Sequence, residues 1–185
     1  GAVAGGRRGA AAAPRLYLPL ALNEGRPTTA PAATATPTVA AAPTRTPTPV
    51  VQVGDAGRES AVIVLINQER AARSLAPLAA CQALTVAGRR HSGDMATHDF
   101  VDHMGSDGST PGQRLWEAGY HWTAMGETVA AGWGGDPARV VAAWMGSPGH
   151  RAILLEPGFV EVGVGYGRNS ATAYGHFWTA DFGRR

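Results

Sequence analysis

The sequence predicts an α+β domain, with helices first and an antiparallel strand pair last. Two observations carry this. Apolar residues recur at helical spacing in several segments between residues 59 and 154. After Pro157-Gly158 the spacing changes to period two, with Val160, Val162, Val164 and Tyr166 alternating with Glu161, Gly163 and Gly165. A third observation bounds the domain. Residues 28–50 comprise 8 Thr, 7 Ala, 5 Pro, 2 Val and 1 Arg, too few large apolar groups to offset the entropy of ordering. The reading is therefore a disordered N-terminal tail with a Thr/Pro/Ala-rich linker over residues 1–57, and a folded domain over residues 58–185.

The elements follow in order. From Glu59 to Arg73, Val62, Leu65, Ile66 and Ala72 share one helical face, and Pro77 stops the helix. A second helix fits Gln82 to His98, where Leu84, Gly88, His91 and Met95 recur at steps of four, three and four. Phe100 to Thr110 reads as loop, rich in Gly, Ser and Asp. Thr110-Pro111 opens a short helix that Gly119 ends. Asp136-Pro137 starts another, through Val140, Val141 and Trp144, and Ser147-Pro148 repeats that start signal for a short helix through His150 and Leu154. The first strand is expected over Val160 to Tyr166 and the second over Thr172 to Phe182. Trp144, with Val140 and Val141 at helical spacing, is a core residue on this reading.

Charge and composition exclude several classes. The chain has 185 residues and a formal net charge of +2. Residues 1–57 hold 5 Arg against 2 acids, and residues 58–185 hold 11 Arg against 12 acids. The basic excess thus lies on the tail, and a nucleic-acid partner, which would need it on the folded part, is not expected. Cys81 is the one cysteine, so no internal disulfide forms. No apolar run reaches the roughly 18 residues that a transmembrane helix requires. Leu16 to Leu22, preceded by Arg7, Arg8 and Arg15, resembles a short signal h-region broken by Pro19. A Thr/Pro/Ala spacer joins domains outside the cell more often than inside it, which points to a secreted or cell-surface protein, expected as a monomer.

Chemistry must be sought late in the chain, because all five Trp and all six His follow residue 90. His103 precedes a Gly/Ser/Asp loop, Glu127 follows Gly126 in an apolar stretch running to Ala131, and His150 lies on the first turn of a short helix. Their spacing alone does not unite them, since no dense ligand pattern on one helix exists. Each also has a plainer role. Glu127 would pin a loop by accepting backbone N–H bonds, and Ser147 would cap a helix. His91, on an apolar stripe, would be a core or supporting residue and His98 a helix-end residue. His121 and His176 would be solvent-facing or half-buried, and Asp107 and Ser109 turn residues.

The stretch from Leu65 to Gly183 resembles the CAP superfamily of cysteine-rich secretory proteins, antigen 5 and pathogenesis-related proteins, in its bacterial SCP-like extracellular branch. The residues that carry the resemblance are Leu65-Ile-Asn-Gln-Glu-Arg70, His91-Ser-Gly-Asp-Met95, Phe100-Val-Asp-His103, Gly105-Ser-Asp-Gly-Ser109, Ala118-Gly-Tyr120, Gly126-Glu127, Trp144-Met-Gly-Ser-Pro-Gly-His-Arg151 and Val162-Gly-Val-Gly165. The resemblance implies an α-β-α sandwich around a small antiparallel sheet, with a groove holding two His and two Glu. His103, Glu127 and His150 match three of the four. The second Glu falls on Ser147, and two asparagines of the pattern fall on Thr128 and Ile153.

Two functions follow from this resemblance. One is a secreted, non-enzymatic binding module whose groove of His103, Glu127, His150 and Ser147 takes a divalent metal such as Zn²⁺, a small molecule, a lipid or a cell-wall partner. The other is a metal-dependent hydrolase, with His103 and His150 as ligands and Glu127 as general base on a bound water. Ser147 is a poor zinc ligand, which weakens the second.

Overall fold

The computed structural model describes residues 15–16, 20–23 and 50–185. The Thr/Pro/Ala linker expected before Val50 lies almost wholly outside the described residues. Seven strands form one sheet: β1 (Arg15–Leu16), β2 (Leu20–Asn23), β3 (Gln52–Val53), β4 (Ala79–Ala80), β5 (Ala124–Ala131), β6 (Glu161–Arg168) and β7 (His176–Arg184). Its central order is β5-β7-β6-β3, with β1 and β2 both on the outer side of β5 and β4 on β6. All pairs are antiparallel except β4 with β6. Helices α1 (Ala56–Ala71), α4 (Pro137–Gly146) and α5 (Pro148–Leu154) cover one face, and α2 (Gln82–His98) and α3 (Pro111–Glu117) the other. This is the expected α-β-α sandwich.

Helices cover both faces of the sheet at its centre, so the central strands β5, β6 and β7 are buried on both sides over most of their length. Trp178, Ala180 and Phe182 of β7 pack with Val62, Ile66, Val140 and Trp144 in the larger core. Phe177, one residue out of phase, packs with Met95 and Ala96 of α2. Trp144 is fully buried, as its spacing predicts. The contact of α2 with β6 is backbone on backbone. A Cβ on Gly165 would lie 2.0 Å from the carbonyl carbon of Gly88, and one on Gly163 would lie 2.2 Å from the Thr85 nitrogen. The alternating glycines of β6 are therefore the surface on which α2 sits.

The sequence places α2 to the residue, and α3, α4 and α5 within about one or two. Three expectations change. The last strand runs His176–Arg184 instead of Thr172–Phe182, because Asn169, Thr172 and Gly175 are tied into a hydrogen-bonded turn. The stretch after Gly126, read as a loop pinned by Glu127, is the strand β5. Order also begins before Arg58: β3 pairs with β6, and Asp55 caps α1 by accepting the Arg58 N–H at 3.0 Å. Within the segment read as tail, the described pieces β1 and β2 belong to the sheet; they include Leu16 and Leu20 to Leu22 of the stretch resembling an h-region. Among the described residues no helix is long and apolar enough to cross a membrane.

Candidate functional site

Glu127 lies mid-strand in β5, fully buried. A lone buried carboxylate would be too costly to keep charged, and two partners compensate. His103 Nδ1 lies 2.6 Å from Oε1, and the Arg114 Nη2–H donates to Oε2 at 2.8 Å. Burial by itself pushes the Glu127 carboxyl up. The His103 hydrogen bond and the Arg114 charge outweigh it and hold the group well below the usual carboxylate range. Glu127 is thus an ionised acceptor, and it serves side chains rather than the backbone N–H groups expected for it.

Arg114 organises the surroundings. Besides Glu127, its guanidinium donates to the carbonyls of His103 at 2.9 Å and Ser109 at 2.8 Å. It therefore ties α3, the 103–109 loop and β5 to one another. His91 performs a parallel task. Its Nε2 lies 2.7 Å from the Asp102 carbonyl, next to His103, and its ring is wholly buried. Burial lowers the His91 pKa, partly opposed by the negative Glu127, so the ring is neutral and its Nε2–H donates to that carbonyl. The supporting role expected for His91 is what the structure shows.

The other two members of the expected site, Ser147 and His150, are bonded to each other. Ser147 stands at the start of α5, but its hydroxyl caps no backbone N–H. Its Oγ instead lies 2.7 Å from His150 Nδ1, one helical turn on. This corrects the expectation of a capping serine. The structure thus joins His103 with Glu127 and Ser147 with His150. Of the remaining histidines, His98 ends α2 beside Asp94, His121 lies against the Trp116 ring, and half-buried His176 pairs with the Tyr166 hydroxyl at 2.6 Å. Thr128 is buried in β5, and Ile153 joins the larger core beside Gly126.

Two residues of the site escape a reading by motif. Arg114 shares the apolar face of its helix with Pro111, Leu115 and Ala118, and that spacing was the available signal. Asp181 is the cross-strand partner of Glu127, fully buried, and neither carboxyl oxygen has a hydrogen-bond partner among the described residues. Burial, and then the charge on Glu127, raise its pKa well above the usual value, with Arg114 opposing in part. Asp181 is consequently a neutral acid beside a charged one, as like charges in one site require.

Zinc sites use three or four protein ligands. The residues expected to line one groove are the imidazoles of His103 and His150, the Ser147 hydroxyl, and a Glu127 whose oxygens are both engaged. Among the described residues no group of three or more His, Cys, Asp or Glu is placed to hold one ion. Such a donor set does not fit a closed zinc centre.

Sandwich and site together define a class, the small α-β-α domains with a buried His/Glu pair. The sequence profile of the cysteine-rich secretory protein family, CAP, matches residues 63–182, and the chain belongs to that family. It is 35% identical over 124 residues to the uncharacterized protein YkwD of Bacillus subtilis, covering 67% of this chain and 46% of that one. It is 30% identical over 114 residues to the uncharacterized membrane protein YlbC of the same organism, covering 62% of this chain and 33% of that one. The chain thus spans less than half the length of these relatives. Among solved structures, an extracellular protein containing an SCP domain from Bacillus anthracis aligns with a TM-score of 0.62 and 29% identity, over 70% of this chain and 41% of that one. An outer surface protein of Borrelia burgdorferi aligns at 0.65 and 20% identity, over 74% and 99%, and so shares the fold.

Proposed function

We propose that this chain is an extracellular binding module that holds a small ligand or an exchangeable divalent cation at the His103 and His150 imidazoles, without catalysis at Glu127. The observation that carries this is the double engagement of Glu127. A general base needs a lone pair aimed at the proton it takes and a pKa near the working pH. Glu127 has both oxygens bonded to side chains and a depressed pKa. Its chemistry is that of an orienting carboxylate behind a histidine. With Nδ1 held against Glu127, the His103 ring is fixed by a carboxylate behind it, the arrangement by which outer carboxylates orient ligating histidines. The extracellular setting is supported by the SCP-domain and outer-surface proteins that share the fold.

Titration calorimetry of the full chain with zinc chloride tests the cation form. We expect weak binding that His103→Ala and His150→Ala each abolish, and that Ser147→Glu tightens by supplying a third donor that carries charge. Binding that survives both alanine variants overturns the reading. So does hydrolysis of a generic ester or amide that Glu127→Gln abolishes.

A further inference from the structure

The path β5-β7-β6-β3 leaves β5 at the end of the sheet, with β7 on one side only. An eight-residue edge strand with a single charge and no proline is a template for pairing with another chain, and β5 reads Ala-Met-Gly-Glu-Thr-Val-Ala-Ala. Yet every residue of β5 is buried. What lies along its outer side is the chain's own N-terminal segment. Leu20, Ala21, Leu22 and Asn23 pair with Glu127, Gly126, Met125 and Ala124, and Arg15 and Leu16 pair with Ala131 and Ala130.

We propose that the outer edge of β5 is a strand-acceptor site that β1 and β2 close in cis, and that an extended apolar peptide from a partner takes the same edge when these pieces leave. Three observations support the cis occupant. The register is antiparallel and continuous over β2, and β1 pairs again further along, so the two pieces together face six of the eight β5 residues. Residues 24–49 then lead from Asn23 to Val50, with a reach of up to about 90 Å, while the strand ends they join are about 30 Å apart across the sheet. Composition agrees as well. Leu-Ala-Leu-Asn is an apolar strand without charge, and it occupies the only part of the edge that runs beside Glu127. Main-chain hydrogen bonds supply the affinity in strand addition, so another extended apolar sequence can substitute.

This inference does not depend on a ligand at the histidines, and its test reads the backbone. Successive N–H groups of a strand point to opposite edges. Of the two full-chain variants Ala21→Pro and Leu22→Pro, one therefore removes a bond to β5 and the other removes an N–H that faces away. Hydrogen exchange by NMR is expected to show β5 amides exchanging about tenfold faster in one variant, while the other matches the parent. Only the first should bind an added synthetic peptide spanning residues 14–24 of this sequence, and a scrambled peptide should bind neither. Unchanged β5 exchange in both variants overturns the proposal. Protection in the parent chain that falls on dilution overturns it too, because it would mean that the strand is donated by a second copy.

Discussion

Glu127 stays charged in the interior because Arg114 and His103 hold its two oxygens, so removal of either partner leaves a buried charge short of compensation. Breaking a buried pair from one side costs about 3–5 kcal/mol. Arg114→Met should lower stability by that order in urea denaturation. It should also loosen the 103–109 loop, whose carbonyls the same guanidinium binds. Asp181 acts in the opposite direction. Its pKa is raised in the folded state, so its contribution is fully present below the unfolded value of about 3.9 and is lost as pH rises toward the folded value. The unfolded chain releases that proton while the folded chain retains it, which favours unfolding over that window. Asp181→Asn removes this penalty, so the variant should gain more stability over the parent at pH 7 than at pH 4. Equal differences at the two pH values would show that Asp181 is ionised in the fold. His103, Glu127 and His150 could be singled out by their neighbours in sequence, and the structure pairs the first two. Arg114 and Asp181 could not, because an arginine and an aspartate inside ordinary elements carry no motif and only their periodicity marks them as buried.

At the scale of elements, α3, α4 and α5, the helices with a proline at their start, were readable to within a residue or two, since that signal acts locally. Strand β5 was not, because both its faces are buried and the period-two contrast that identifies a strand is missing. Strand β6 was found from its glycines alternating with Val and Tyr, but it is not the half-buried strand that this alternation suggests, since residues 162–167 are all buried. Those glycines admit the backbone of α2, and Gly167 likewise leaves no room for a Cβ, which would lie 2.3 Å from the Ser92 carbonyl oxygen. Gly165→Ala would force α2 off the sheet and with it His91, which supports the loop of His103. The expected outcome is loss of cooperative thermal unfolding. Gly146→Ala, where an added Cβ meets nothing within 4 Å, should unfold as the parent does.

For the whole molecule, order reaches back before the helix that apolar periodicity suggests as its start. Among the described residues every core cluster lies at or after Val51, and the eight residues before Arg58 are not idle. Val51 packs with the cluster around Met95, Gln52 and Val53 pair with β6, the Gly54 N–H donates to the Tyr166 carbonyl at 2.8 Å, and Asp55 caps α1. A sequence reading misses these because a two-residue strand has no period and a single aspartate before a helix looks like any polar residue. Chains starting at Val50 and at Arg58 both lack β1 and β2, so the exposed β5 edge is common to them and their difference isolates residues 50–57. Loss of the cap alone costs about 1 kcal/mol, and the paired backbone adds to it. The Arg58 chain should therefore unfold at a clearly lower urea concentration with an unchanged slope, since the surface buried by the core is nearly the same. Coincident unfolding curves would place the start of the cooperative unit at α1 and make β3 an ornament of the sheet.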